Sequence, residues 1–314
     1  MSRRIRIPFL IDVMWVDDAH TIAGDERDPR LDRGYEKIGP LFNRLLTGRL
    51  MRVFAFNGVR FPTMRARGDE QRRANQAALA EKLRDAAAPT DKLLAEIEPL
   101  VAYVRGDAPV ETVGPTIQAL VGRHFNPDLA ASRKLWDAAV RFDNAARSRN
   151  PLRWIWSAVT GRLNLDRRLL ADAVGDDPVG MHSIGIAVHN IVTGLARMRE
   201  CHDDPVRRSA LNGNAAAMAC LSAPESVLRQ AKRVADIPGG SLTPGSLVIY
   251  ELSKATDRTL DPKVAFQSRS WSACPASDFV FKLLALIWSQ TQPRTRVQVP
   301  VPARVDAPGS DGDE

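Results

Sequence analysis

The sequence predicts a mainly α-helical domain with a small β portion. Ala, Leu, Glu and Arg dominate residues 69–87, and further helical segments with residues typical of helix caps follow up to about residue 200. Strand-forming residues are concentrated later, between Val227 and Tyr250, around the turn residues Gly239 and Gly240. The chain contains no internal repeat. We therefore expect a single domain over residues 1–292, followed at 293–314 by a proline-rich tail that is expected to be disordered.

The N-terminal part predicts a strand, a short helix and a long irregular region. Residues 5–13 are largely apolar and extended, and residues 15–23 predict a short helix. Glycines and prolines typical of turns interrupt residues 24–70, around a short helix at 41–46.

The helical part divides at capping and breaking residues. The predicted helices cover residues 69–87, 90–106, 107–122, 128–149, 165–174 and 181–200. The last of these is the most apolar, so it is the candidate for a central buried helix.

The composition excludes several classes of protein. The net charge is +7, but the arginines are scattered among acidic residues and form no basic block, which argues against nucleic-acid binding. No apolar run approaches the length of a membrane span, and no secretion signal is recognisable, so we expect a cytoplasmic protein without a membrane anchor. The three cysteines, Cys201, Cys220 and Cys274, lack the spacing of a disulfide framework or a zinc ribbon.

Cys274 stands directly before a predicted apolar helix. Pro275 suits the first helical position and Asp278 suits the first turn, so the helix is expected to begin at the cysteine. One apolar face follows, formed by Phe279, Leu283, Leu286 and Ile287. Unpaired N–H groups at a helix start stabilise a thiolate, the form that reacts or binds metal. The alternative is a small apolar cysteine without a chemical role.

Residues 223–255 resemble a segment of the cytochrome P-450 superfamily of haem-thiolate proteins. In that family a turn with proline precedes an arginine, a hairpin of the form G-x-x-I-P-x-G-x-x-V and an alanine. The matching positions here are Arg229, Gly240, Pro244, Ile249 and Ala255. Farther along, Cys274-Pro275-Ala276 is similar to the family's C-P-G, and residues 69–75 resemble the start of its basic third helix.

The resemblance implies a truncated cytochrome P-450-like helical fold that binds haem b. Cys274 would then be the axial ligand of the haem iron, and Arg229 would pair with a haem propionate. A surface arginine in a strand remains the alternative for Arg229.

Two departures from the family pattern affect this interpretation. The family's E-x-x-R has no counterpart near residues 217–220, so its buried ion pair is expected to be absent. Gln267 and Ser270 replace the Phe and Gly that usually shape the cysteine loop. The alternative is therefore a degenerate member with little or no haem that acts as a binding or scaffold protein.

The helix at 181–194 corresponds best to the family's helix over the haem. It lacks the acid and alcohol pair that monooxygenases use to relay protons to bound dioxygen. His189, Asn190 and Thr193 lie near the expected position and could orient a peroxide and exchange protons with it. An ordinary helix histidine is the alternative for His189. His182 and His189 are seven residues apart, roughly 10 Å along a helix, so they cannot share one metal ion.

The resemblance implies an oxidoreductase that acts on an apolar small molecule or a fatty substrate. The missing acid and alcohol pair favours the use of peroxide, or rearrangement of a fatty hydroperoxide, over monooxygenation fed by a reductase. A redox partner remains an alternative expectation.

Overall fold

A computed structural model describes residues 2–148 and 161–292. Helices form most of this part of the chain. They are α1 (Ala19–Asp25), α2 (Leu41–Val53), α3 (Glu70–Leu83), α4 (Asp91–Arg105), α5 (Val113–Gly122), α6 (Arg133–Arg147), α7 (Arg162–Ala173), α8 (Pro178–Asp203), α9 (Pro205–Ala210), α10 (Gly213–Cys220), α11 (Leu252–Thr259), α12 (Pro262–Ala265) and α13 (Ser277–Thr291). The mainly helical fold class is confirmed.

The strands form one mixed sheet and two small hairpins. They are β1 (Ser2–Ile7), β2 (Ile11–Val16), β3 (Leu31–Asp32), β4 (Ala55–Phe56), β5 (Val59–Arg60), β6 (Val227–Ala231), β7 (Ala235–Ile237), β8 (Gly240–Leu242) and β9 (Leu247–Tyr250). The five-stranded sheet has the order β1-β2-β9-β6-β3, with β2 and β9 parallel and the other neighbours antiparallel. The N-terminal strands thus pair with the late ones.

Side chains at the helix ends explain why several predicted boundaries are right. The Asp69 carboxylate accepts from the backbone N–H of Arg72 to begin α3, and the Thr90 hydroxyl accepts from Leu93 to begin α4. Gly106 ends α4 in the left-handed region, with φ of 94°.

Other boundaries differ from the prediction. Residues 5–13 do not form one strand, because the chain turns at Phe9 and pairs β1 with β2. Strand content is therefore not confined to the late part of the chain. Helix α13 begins at Ser277 rather than at Cys274, since Pro275 and Ala276 form a turn before it.

The apolar helix predicted at 181–200 is the central helix α8. Its segment Ser183–Ala187 has π-helical hydrogen bonding, a widening that is frequent at functional sites. By length and composition alone α8 could cross a membrane, but half of its most apolar window is buried inside the protein. Helices α4, α5, α10 and α13 pack against it.

Two expectations fall partly or wholly outside the described residues. The proposed tail at 293–314 lies outside them, as does the end of the helix predicted at 128–149. The described residues share a cluster of buried apolar side chains that joins the sheet to the helices. The assignment of residues 1–292 to one domain stays a prediction.

Candidate functional site

A cavity of about 1280 Å³ lies between α8 and the loop that carries Cys274. Most of its wall is apolar, with contributions from α2, α3 and the start of α13. Its volume lies above the usual range of small-molecule sites, about 300–1,000 Å³. The cavity can therefore hold a large cofactor together with a substrate.

Cys274 lines this cavity at the end of a closed loop. Its backbone N–H donates to the Phe266 carbonyl at 2.8 Å, and the Gln76 side chain donates to the Ala273 carbonyl at 3.0 Å. Burial raises the pKa of the Cys274 thiol, while the Ala276 N–H and the Arg33 cation act in the opposite direction. A bound metal or further positive charge would be needed to make the thiolate the dominant form.

Two buried arginines, Arg33 and Arg72, line the same cavity. Arg33 donates to Gln267 Oε1 at 2.9 Å, and Arg72 donates to the backbone carbonyls of Pro62 and Arg65. Within the described residues neither guanidinium forms an ion pair, and the Nε of each lacks a partner. Burial and neighbouring guanidinium groups lower the pKa of Arg33 well below its ordinary value and that of Arg72 to about 10. This cavity wall therefore favours an anion.

Arg229 lies behind the cavity wall rather than on it. It is fully buried, so the alternative of a surface arginine is wrong. Its guanidinium forms an ion pair with Glu26 and donates to Ser272 Oγ at 2.8 Å. Direct pairing of Arg229 with a propionate stays a prediction, which this arrangement does not favour.

The Glu26 carboxylate is shared by several donors. Burial alone would raise its pKa, but the Arg229 and Arg33 cations hold the pKa of Glu26 below its ordinary value. Gln267 Nε2 donates to Oε1, and Ser272 Oγ lies 2.9 Å from Oε2. A buried ion pair is thus present, although its acid is not in the position where the family pattern has E-x-x-R.

His182 reaches the cavity from α8. Burial, followed by the charges of Arg33 and Arg72, lowers its pKa to about 4, and its Nδ1 lacks a partner in the described part of the chain. The imidazole is therefore neutral at pH 7.

Of the predicted site residues His189, Asn190 and Thr193 on α8, only one lines the cavity. Asn190 lines the cavity. The His189 ring instead packs against Trp136 of α6, with ring centroids 4.7 Å apart, and the exposed Thr193 hydroxyl donates to the His189 carbonyl. Neither His189 nor Thr193 is part of the cavity wall, so the structure does not bring these two together with Asn190 and Cys274.

Sequence reasoning did not identify Arg33, His182 or Glu26 as site residues. Arg72 was present in the segment that resembles the family's basic third helix, which was the available signal. Arg33 and Glu26 lie in or beside a turn-rich region with no recognisable pattern, and only the folded sheet brings them to Cys274. The described residues contain no group of three or more His, Cys, Asp or Glu that could hold a metal ion.

The solved structures that match this architecture include many cytochromes P450. The enzyme CxnD, for C–S bond formation in chuangxinmycin biosynthesis, matches with a TM-score of 0.58 and 13% identity over 92% of this chain and 82% of that one. The P450 RauA, complexed with a biosynthetic intermediate of aurachin RE, matches with a TM-score of 0.57 and 12% identity over 88% of this chain and 83% of that one. A six-coordinated cytochrome P450 from Thermus thermophilus matches with a TM-score of 0.52 and 14% identity over 88% of this chain and 83% of that one.

Sequence comparison alone does not detect the similarity to cytochromes P450. No protein-family model matches the chain, and no curated protein matches it either. At 12–14% identity the structural likeness shows the fold.

Proposed function

We propose that this chain, which has a truncated cytochrome P450-like fold, is a haem-thiolate oxidoreductase. The observation that carries the proposal is the donor set of one cavity. A thiol, two buried guanidinium groups without ion-pair partners in the described residues and a mostly apolar wall face the same space. These groups match the iron, the two propionates and the apolar macrocycle of haem b.

Cys274 would ligate the haem iron. Thiolate ligation supplies electron density that favours O–O cleavage when the haem is bound. The protein prepares for ligation by closing the loop through the Cys274 N–H and by directing the Ala276 N–H and the Arg33 charge at the sulfur. Their effect opposes that of burial, and a bound iron would further favour the deprotonated form of the thiol.

Arg33 and Arg72 would hold the propionates. A guanidinium presents several N–H donors in a planar array that suits carboxylates. His182 adds a neutral imidazole beside the same cationic region. Arg229 then acts from behind the wall, through Glu26 and Ser272.

The side of the cavity formed by α8 supports the use of a peroxide. Its lining side chains include His182, Ser183 and Asn190, and no Asp or Glu of the described α8 residues is among them. The NH2 group of the Asn190 amide can donate a hydrogen bond to one peroxide oxygen, and its carbonyl oxygen can accept a hydrogen bond from the other. An apolar or fatty substrate, and rearrangement of its hydroperoxide, fit the apolar part of the wall. A redox partner remains the alternative to a peroxide, and a cytoplasmic location remains part of the proposal.

A second candidate function is a degenerate P450-like binding or scaffold protein. The raised pKa of Cys274 favours it, because a protonated thiol is a poor iron ligand. Reconstitution with haem decides between the two candidates.

The test compares wild type with Cys274→Ala after expression with haem supplied. We expect the reduced, carbon-monoxide-bound wild type to show a red-shifted Soret band that is lost in Cys274→Ala. Cys201→Ala serves as the matched control, since Cys201 is buried beside Cys220 and does not line the cavity. Absence of haem uptake by wild type would reject the oxidoreductase in favour of the binding protein.

A further inference from the structure

We propose that Glu26 is a positioning residue that holds the Cys274 loop in place. It lies in the turn after α1, far from the cysteine in sequence, and does not line the cavity. Its carboxylate connects the sheet to two points of the loop. The inference concerns the protein with or without haem, and only its spectroscopic test rests on the proposed function.

The contacts of Glu26 form one buried network. Arg229 of β6 pairs with Oε1, which also accepts from Gln267 Nε2 at 2.9 Å. Ser272 Oγ lies 2.9 Å from Oε2 and accepts from Arg229 Nη2 at 2.8 Å. The Glu26 and Arg229 side chains are 3% and 1% exposed, so water does not compete for these bonds.

The loop depends on such anchors because little regular structure supports it. Between α12 and α13 the chain forms a series of turns. Gln267 lies there with a φ of 51°, a backbone conformation that residues other than glycine rarely adopt. The Glu26 network holds Gln267 at the start of this stretch and Ser272 shortly before Cys274. Removing it would leave the backbone bonds of the loop, the Gln76 contact and the Arg33–Gln267 bond to hold it.

Trp271 gives the network a second function. Arg72 stacks on its ring at 4.4 Å and Arg229 stacks on it at 5.4 Å. Trp271, which precedes Ser272, is thereby held between Arg72 of the cavity wall and Arg229, the partner of Glu26. Displacement of this segment would move Arg72 as well as the thiol.

The first measurement uses hydrogen–deuterium exchange of haem-free Glu26→Gln. We expect exchange of the peptide covering residues 266–274 to rise about tenfold or more, because hydrogen bonds to a charged acceptor are lost from it. Exchange of α4 should stay unchanged. Glu81→Gln is the matched control, since Glu81 pairs with Arg84 on the exposed surface.

A milder variant keeps the proposal testable if Glu26→Gln does not fold. Ser272→Ala removes the hydroxyl bridge and leaves the Glu26–Arg229 pair intact. We expect it to raise exchange over the same peptide by a smaller factor. The proposal is overturned if Ser272→Ala, and Glu26→Gln where it folds, leave residues 266–274 unchanged or raise exchange equally in α4.

The second measurement is the reduced, carbon-monoxide-bound spectrum of the haem-loaded variants. A displaced loop should lower the fraction of haem with the red-shifted Soret band while total haem changes less. Loss of total haem with an unchanged band shape would contradict a positioning role. If wild type takes up no haem, the exchange experiment still decides whether Glu26 holds the loop.

Discussion

Replacement of Arg33 by methionine should change haem-free stability and haem affinity in opposite directions. Arg33 is buried without an ion-pair partner in the described structure, and burial together with Arg229 and Arg72 lowers its pKa. Replacing a buried ion pair by apolar side chains is neutral or stabilising by about 1–4 kcal/mol, and a buried cation without an ion pair carries the same kind of desolvation cost. Loss of its bond to Gln267 costs about 1 kcal/mol, although Ser272 Oγ stays 2.9 Å from that oxygen. The haem-free variant should therefore keep its unfolding free energy or gain up to about 3 kcal/mol.

Haem binding should weaken in the same variant. A hydrogen bond to a charged group contributes about 1.5–3 kcal/mol, so losing the one to a propionate should raise the haem Kd about 10- to 100-fold. Denaturant unfolding of the haem-free protein gives the first quantity, and haem titration followed at the Soret band gives the second. Arg84→Met, at an exposed arginine, is the control. A less stable haem-free variant with an unchanged haem Kd would refute the proposed role of Arg33.

Two further predictions concern pH and have opposite signs. Burial, then the charges of Asp28 and Glu26, raises the pKa of Asp25 from 3.8 to about 7, so unfolding free energy should fall as pH rises through this window. Asp25→Asn should remove up to ~4 kcal/mol of that fall in denaturant unfolding at several pH values, and an unchanged pH slope would contradict it. Burial, then Arg33 and Arg72, lowers the pKa of His182 from 6.5 to about 4, so unfolding free energy should fall as pH drops through that range. His182→Gln should flatten this acid-side loss in the same titration, whereas an equally acid-sensitive variant would show that another group is responsible.

The parts of the site that follow from local sequence were predictable. The position of Cys274 before an apolar helix, and the late strands around residues 227–250, depend on capping and alternation over short stretches. The start of α13 was misplaced because proline suits both a first helical position and a turn. The orientation of His189 also could not be predicted, since a π-helical segment directly before it changes which residues of α8 face the cavity.

The charged groups could not be predicted for a different physical reason. Glu26 and Arg33 meet the Cys274 loop because β3 pairs with β6 and β2 pairs in parallel with β9. These are long-range pairings, and no short pattern encodes them. A sequence search for E-x-x-R therefore finds nothing at residues 217–220, although the folded chain buries a Glu–Arg pair against the same loop.

The two ends of the described chain thus carry complementary parts of one site. The late segment supplies the thiol and Arg229, whereas the early segment supplies the acid that holds Arg229 and the guanidinium groups that face the cavity. In the haem-free protein Arg33 and Arg72 lack ion pairs within the described residues, and this charge opposes folding. A dianionic ligand that neutralised them would stabilise the folded state by mass action and by removing that cost. The charge of Arg33 and Arg72 therefore supports the proposal that an anionic cofactor binds in this cavity.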